Sequence, residues 1–129
     1  MRCVAVRFEI ADAGDAAAIR QLMARPDIAI CSGFYELLTN DAAVAKSIEM
    51  IAGLLSDNGR FILSHQNAVP KLGWAGKIFG GFSGEHQKMK MRPASEIASL
   101  LASHGFVVDQ CRSAADLYTI FLARRIKQD

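Results

Sequence analysis

Residues 26–66, PDIAICSGFYELLTNDAAVAKSIEMIAGLLSDNGRFILSHQ, constrain the fold more than any other stretch, because they read as one strand, one helix and a second strand. Asp27 to Cys31 is short and mostly apolar without period-2 alternation, the pattern of a strand covered on both faces, and it stops at Ser32-Gly33. Thr39-Asn40-Asp41 is a polar helix-start signal. Val44, Ile48, Ile51 and Leu55 follow at i, i+4, i+7 and i+11, and so share one helical face. Ser56-Asp57-Asn58-Gly59 ends the helix with turn-forming residues, and Arg60 to Ser64 resumes as a strand through Phe61-Ile62-Leu63. Two buried strands joined by a helix make a parallel βαβ unit with a right-handed crossover. Ligand sites in such sheets lie beyond the carboxyl ends of the strands, here Ser32 to Glu36 and Ser64 to Asn67.

A chain of 129 residues is read as a single domain, residues 1–129, long enough to remove roughly 65–70% of its unfolded surface from water. A net charge of +2 is too mild to imply nucleic acid by itself. Cys3, Cys31 and Cys111 are odd in number and widely spaced without any CxxC, and His65, His86 and His104 do not cluster with them. A reducing compartment is expected, with neither a disulfide frame nor a metal site. The amino-terminal apolar run is broken by Arg7 and Glu9, and nowhere do about 18 apolar residues run together, so a soluble cytoplasmic protein without a membrane span is expected.

Around the central unit, Cys3 to Ile10 alternates Val4, Val6, Phe8 and Ile10 against Ala5, Arg7 and Glu9, as an edge or half-exposed strand does. Asp15 is the expected N-cap of a helix whose buried stripe is Ile19, Leu22 and Met23, ended by Pro26. Residues 67–92 are irregular, with Pro70, five of the ten glycines, Trp74, Phe79 and Phe82, and read as a lid or insertion. Pro93 opens a further helix with Ile97, Leu100, Leu101 and His104 on one face, and Gly105 ends it. Phe106 to Gln110 and Asp116 to Arg124, separated by Cys111 to Ala115, are expected as an antiparallel strand pair at the sheet edge. Arg124, Arg125 and Lys127 are expected as a solvated tail.

This order, together with SGFYELLTND at 32–41, GRFILSHQNAVPKL at 59–72, MKMRPASEI at 89–97, HGF at 104–106 and LYTIFLARR at 117–125, resembles the carboxyl half of a class I S-adenosylmethionine-dependent methyltransferase, and in wording a bacterial family of methyltransferase-like proteins. The resemblance runs from about Phe8 onward. It implies an α/β, Rossmann-like partial domain of about five strands with helices on both faces and an antiparallel edge hairpin. It also implies S-adenosylmethionine as cofactor, with Asp12 at the adenine and Ser32-Gly33 as the turn beneath the methionine moiety. The glycine-rich turn after the first strand of such enzymes has no counterpart here. A cofactor site completed by a partner or a further segment is therefore expected, with a homodimer or higher oligomer covering the open sheet edge. The family's Trp-His-Pro after the glutamine is here Ala68-Val69-Pro70.

Methyl transfer is a displacement at a sulfonium, so the protein must position a nucleophile, exclude water and accept a proton from a hydroxyl or amine. His65 and Gln66, leaving the second core strand, are the candidate catalytic pair, against the plainer reading of a polar strand end. Tyr35, Glu36, Trp74 and Arg92 are the candidate substrate contacts; Tyr35 and Glu36 could equally open a helix. Asp12 could instead cap a helix. The aromatics of the lid among Lys71, Lys77, Lys88, Lys90 and Arg92 could suit nucleic acid, but a lid packed on the cleft accounts for them more simply. The expected activity is methyl transfer to a small molecule. The alternative is a non-catalytic binding or assembly module derived from the same fold.

Overall fold

The computed structural model describes residues 7, 9–23, 25–67, 89–114 and 117–126. Its elements are α1 (Ala16–Leu22), β1 (Ile28–Ser32), α2 (Asp41–Leu54), β2 (Arg60–Gln66), α3 (Ala94–Ser103), β3 (Phe106–Ala114) and β4 (Tyr118–Arg125). The strands form one sheet in the order β1-β2-β4-β3, with β1 parallel to β2 and β4 antiparallel to both of its neighbours.

Local chemistry sets the boundaries. Asp15 caps α1, its side chain accepting the N–H groups of Ala17 and Ala18, and Asn40 caps α2 by accepting that of Ala42 at 2.9 Å. After α2, Asn58 takes φ 63°, and a Cβ on Gly59 would lie 2.9 Å from the Ser56 carbonyl oxygen, so only glycine fits that turn. The turn is fastened to the start of β1: the Ser56 N–H donates to the Pro26 carbonyl at 2.9 Å, and the Ser56 hydroxyl to Asp27 at 2.7 Å.

Strand alternation puts Phe61, Leu63 and His65 of β2 on the same face as Thr119, Phe121 and Ala123 of β4. Val44 and Ile48 of α2, Ile97 and Leu101 of α3, and Tyr35 join the apolar members of that face, with Phe106, in one buried core; the Phe61 and Phe106 rings are 5.5 Å apart. The opposite face carries Ile28, Ile30, Tyr118 and Ile120, which are exposed.

Several expectations change. Among the described residues there are four strands, not five: the strand expected at Cys3–Ile10 falls largely outside them, and Glu9 and Ile10 are not in a strand. The buried core of the described residues lies on the face of Phe61, Leu63, Phe121 and Ala123. Among the described residues β1 pairs with β2 alone and is not covered on both faces, Ile28 being 56% and Ile30 72% exposed. β2 runs on through Gln66, since His65 and Gln66 pair with Thr119 and Tyr118. β3 continues through the expected turn at Cys111–Ala114, and the second hairpin strand lies inside the sheet. Arg124 and Arg125 belong to β4 and are no loose tail; Arg125 donates to the carbonyl of Leu55, at the end of α2. Met23 is exposed, α1 having stopped at Leu22. The lid expected at 67–92, with Trp74, lies outside the described residues between 68 and 88.

Candidate functional site

The carboxyl ends of β1 and β2 lie side by side, and the chain leaves β1 through Gly33 at φ 64°, a left-handed conformation that favours glycine. The next residues form a tight turn, with the Leu37 N–H donating to the Phe34 carbonyl at 3.1 Å. This turn buries Tyr35 and Glu36 instead of presenting them to solvent.

Arg92 holds the turn in place. Its guanidinium, 1% exposed, donates from Nη1 to the Tyr35 carbonyl at 2.8 Å, from Nη2 to the Leu38 carbonyl at 2.7 Å and from Nε to Asp41 at 2.9 Å. The planar fork suits three acceptors at once. The Lys90 N–H donates to the Glu36 carbonyl at 2.8 Å, and the Lys90 ammonium spans both Asp41 oxygens. The bonds from Lys90, then Arg92, hold the Asp41 carboxyl below its ordinary value.

Beneath the turn, Glu36 and His65 face each other. Glu36 is 2% exposed and His65 fully buried, and Glu36 Oε2 lies 3.6 Å from His65 Nδ1; neither atom has a hydrogen-bond partner among the described residues. The other ring nitrogen, Nε2, lies 3.2 Å from the Arg92 backbone nitrogen and 3.1 Å from the Arg92 carbonyl oxygen. Burial, and then the Glu36 charge, push the neighbouring Cys31 thiol up to about 11. Burial also raises the Tyr35 phenol, partly offset by its hydrogen bond to Ser47 at 3.2 Å.

His65, Glu36, Tyr35 and Arg92 thus come together in one buried cluster. Gln66 does not join them, since strand alternation turns it to the opposite sheet face. Ser32 points to that opposite face too, its hydroxyl 2.9 Å from that of Ser64. Asp12 accepts the Gly14 N–H at 2.8 Å and leaves the capping of α1 to Asp15. It lines a cavity of about 290 Å³ with Phe34, Leu38, Lys46 and Met50. A larger apolar cavity of about 490 Å³ adjoins it along β1, between Ile19, Met23 and Ile30. Among the described residues no group of three or more His, Cys, Asp or Glu could hold a metal ion, and no helix is long and apolar enough to cross a membrane.

Residues 2–125 match the family described as "Putative methyltransferase". The chain belongs to that family. This methyltransferase family member is 33% identical over 117 residues to the uncharacterized protein YnbC of Escherichia coli, a match spanning 90% of this chain and 20% of YnbC. Among solved structures it is similar to an O-methyltransferase family protein from Burkholderia thailandensis, with a TM-score of 0.70, 16% identity, and coverage of 95% of this chain and 36% of the other. It is also similar to human N-acetylserotonin methyltransferase in complex with SAM, with a TM-score of 0.66, 16% identity, and coverage of 93% and 34%. The fold is accordingly that of a partial class I methyltransferase domain. The chain spans about a fifth of the curated relative and about a third of these structures.

Within the methyltransferase domain, Asp41 and Lys90 complete the Arg92 grip, and sequence reasoning gave neither that role. The one signal was an acid in the first turn of α2 and two bases just ahead of Pro93.

Proposed function

We propose that the chain supplies part of an S-adenosylmethionine-dependent methyltransferase acting on a small molecule, its cofactor site completed by further polypeptide or by a second copy. The observation that carries this reading is the cavity in which the Asp12–Gly14 turn meets Phe34, from the loop after β1. The residues there suit the purine end of such a cofactor. Asp12 offers a carboxylate to an exocyclic amino group, and Phe34, Leu38 and Met50 offer apolar walls to a flat ring. At about 290 Å³ the cavity lies at the floor of the roughly 300–1,000 Å³ typical of ligand pockets, which fits one end of the cofactor and not the whole. When bound, the cofactor supplies a methyl group on a sulfonium sulfur. Gly33 leaves room beside the loop: a Cβ there would meet only the Glu36 carboxylate among the described residues, at 3.7 Å. Ser32 and Ser64 present their hydroxyls at the adjoining strand ends.

A second reading, a binding or assembly module without catalysis, is favoured by the closure of the Glu36 and His65 pair and by the exposed apolar face beside β1. Calorimetric titration of the purified chain with S-adenosylhomocysteine, alongside its mass in solution, separates the two. Saturable micromolar binding by an oligomer supports the first reading. No binding at millimolar ligand by an assembled species supports the second.

A further inference from the structure

We infer that a separate cavity, lined by Asn67, Ser113, Thr119, Met91 and Pro93, binds a small apolar molecule through a carbonyl oxygen, that of a carboxylate or of an amide. The site stands on its own geometry. Only its use as the anchor of a methyl acceptor rests on the methyltransferase reading.

Asn67 is the first residue beyond β2, at the carboxyl end where sheets of this kind bind ligands. Its N–H donates to the Leu117 carbonyl at 2.8 Å, which fixes its backbone beside the start of β4. Strand register sets Ser113 of β3 opposite Thr119 of β4, and alternation turns Thr119 to the face of Phe121 and Ala123, where the core lies. Met91 and Pro93, just ahead of α3, wall the same space with apolar surface. The cavity measures about 560 Å³, inside the roughly 300–1,000 Å³ typical of ligand pockets.

Its polar groups are set to donate. Thr119 is 5% exposed, and its hydroxyl donates to Asn67 Oδ1 at 2.8 Å. That bond spends the oxygen of the Asn67 amide and leaves the two Nδ2 protons, which have no acceptor among the described residues. The Ser113 hydroxyl adds another donor. Arg92 also borders the cavity, but its guanidinium is spent on Asp41 and on the carbonyls of Tyr35 and Leu38. No acidic side chain lines the space among the described residues, so an ammonium ligand would meet donors and no counter-charge. A carbonyl oxygen on a flat apolar body satisfies both the donors and the walls.

This cavity and that of Asp12 meet through one side chain. Arg92 borders the first, and its Nη2 holds at 2.7 Å the carbonyl of Leu38, which lines the second. Under the methyltransferase reading, a cofactor held at Asp12 and an acceptor held at Asn67 flank the same turn, residues 35–38.

The test is proton–nitrogen NMR of the ¹⁵N-labelled full chain, titrated with benzoate, benzamide and, as a body of similar shape without an acceptor, toluene. Benzoate or benzamide should shift the Asn67 side-chain amide signals saturably in the millimolar range, and toluene should not. Tighter binding of benzoate assigns the site to carboxylates, and tighter binding of benzamide to neutral amides. Asn67→Asp still accepts the Thr119 proton but has no donors, and should weaken benzoate about tenfold or more with the spectrum otherwise retained. Thr119→Val unties the amide and should weaken the better probe several-fold. The inference is overturned if neither carbonyl probe shifts Asn67 at tens of millimolar, if toluene shifts it equally, or if Asn67→Asp binds benzoate like the wild type. Failure of S-adenosylhomocysteine to bind would refute the cofactor reading and leave these signals unchanged.

Discussion

Replacing Arg92 by Met keeps a long apolar stem but removes every donor, so the carbonyls of Tyr35 and Leu38 lose charged partners at 2.8 and 2.7 Å. Each buried acceptor left unsatisfied costs about 1–3 kcal/mol, so the two together cost about 2–6 kcal/mol. Asp41 is open to solvent and is left out of this sum. The loss is a large share of the roughly 5–15 kcal/mol that holds a domain together. Urea unfolding followed by circular dichroism measures it. With a slope of about 2 kcal/mol per molar urea, the midpoint should fall by about 1–3 M at unchanged slope. Arg92→Lys should recover less than half of the loss, because a single ammonium cannot span both carbonyls. A loss below about 1 kcal/mol in Arg92→Met would refute the reasoning. So would an equal loss in Asp41→Asn, which would put the grip in the exposed ion pair and not in the turn.

Asp41 titrates below its ordinary value of 3.8 in the folded chain, so its contribution is whole above that pH and drains away as pH falls through the lower folded value. Thermal melts between pH 5 and 2 should show the wild type losing its margin over Asp41→Asn only below pH 3.8. Cys31, its thiol held near 11, should react with iodoacetamide at pH 8 far more slowly than exposed Cys111, read by peptide mass mapping; equal rates would contradict the assigned burial. Gly59→Ala places a Cβ 2.9 Å from the Ser56 carbonyl oxygen and should cost about 1–3 kcal/mol in urea unfolding, whereas a neutral result would mean that the turn relaxes freely.

The local parts of the fold were legible because their causes are local. Asn40 and Asp15 cap their helices through neighbours two and three residues away, and Asn58-Gly59 turns the chain by its own backbone preference. What the sequence hid was set by distant partners. His65 and Gln66 read as a strand end because nothing nearby announces their pairing with Thr119 and Tyr118 in β4. Arg124 and Arg125 read as a charged tail for the same reason, although β4 carries them between β2 and β3. The loop after β1 was legible as a place of interest, but not as a clamp: Arg92 reaches Tyr35 and Leu38 across 57 and 54 residues of chain. Apolar periodicity carries no trace of such a contact. The pairing of Glu36 with His65 depends on that clamp, so it was hidden as well.

Among the described residues the sheet has two edges, and they differ in character. β3 carries the marks of a strand that must live beside water: a bulge between Val108 and Gln110, Asp109 within it, and Arg112 further along. β1, Ile28-Ala29-Ile30-Cys31-Ser32, has no charge, no proline and no irregularity of register with β2. Stickiness at an edge is selected against only where other molecules can reach it. β3 carries such guards, whereas β1, among the described residues, carries none and leaves an uncharged apolar edge open to a further strand.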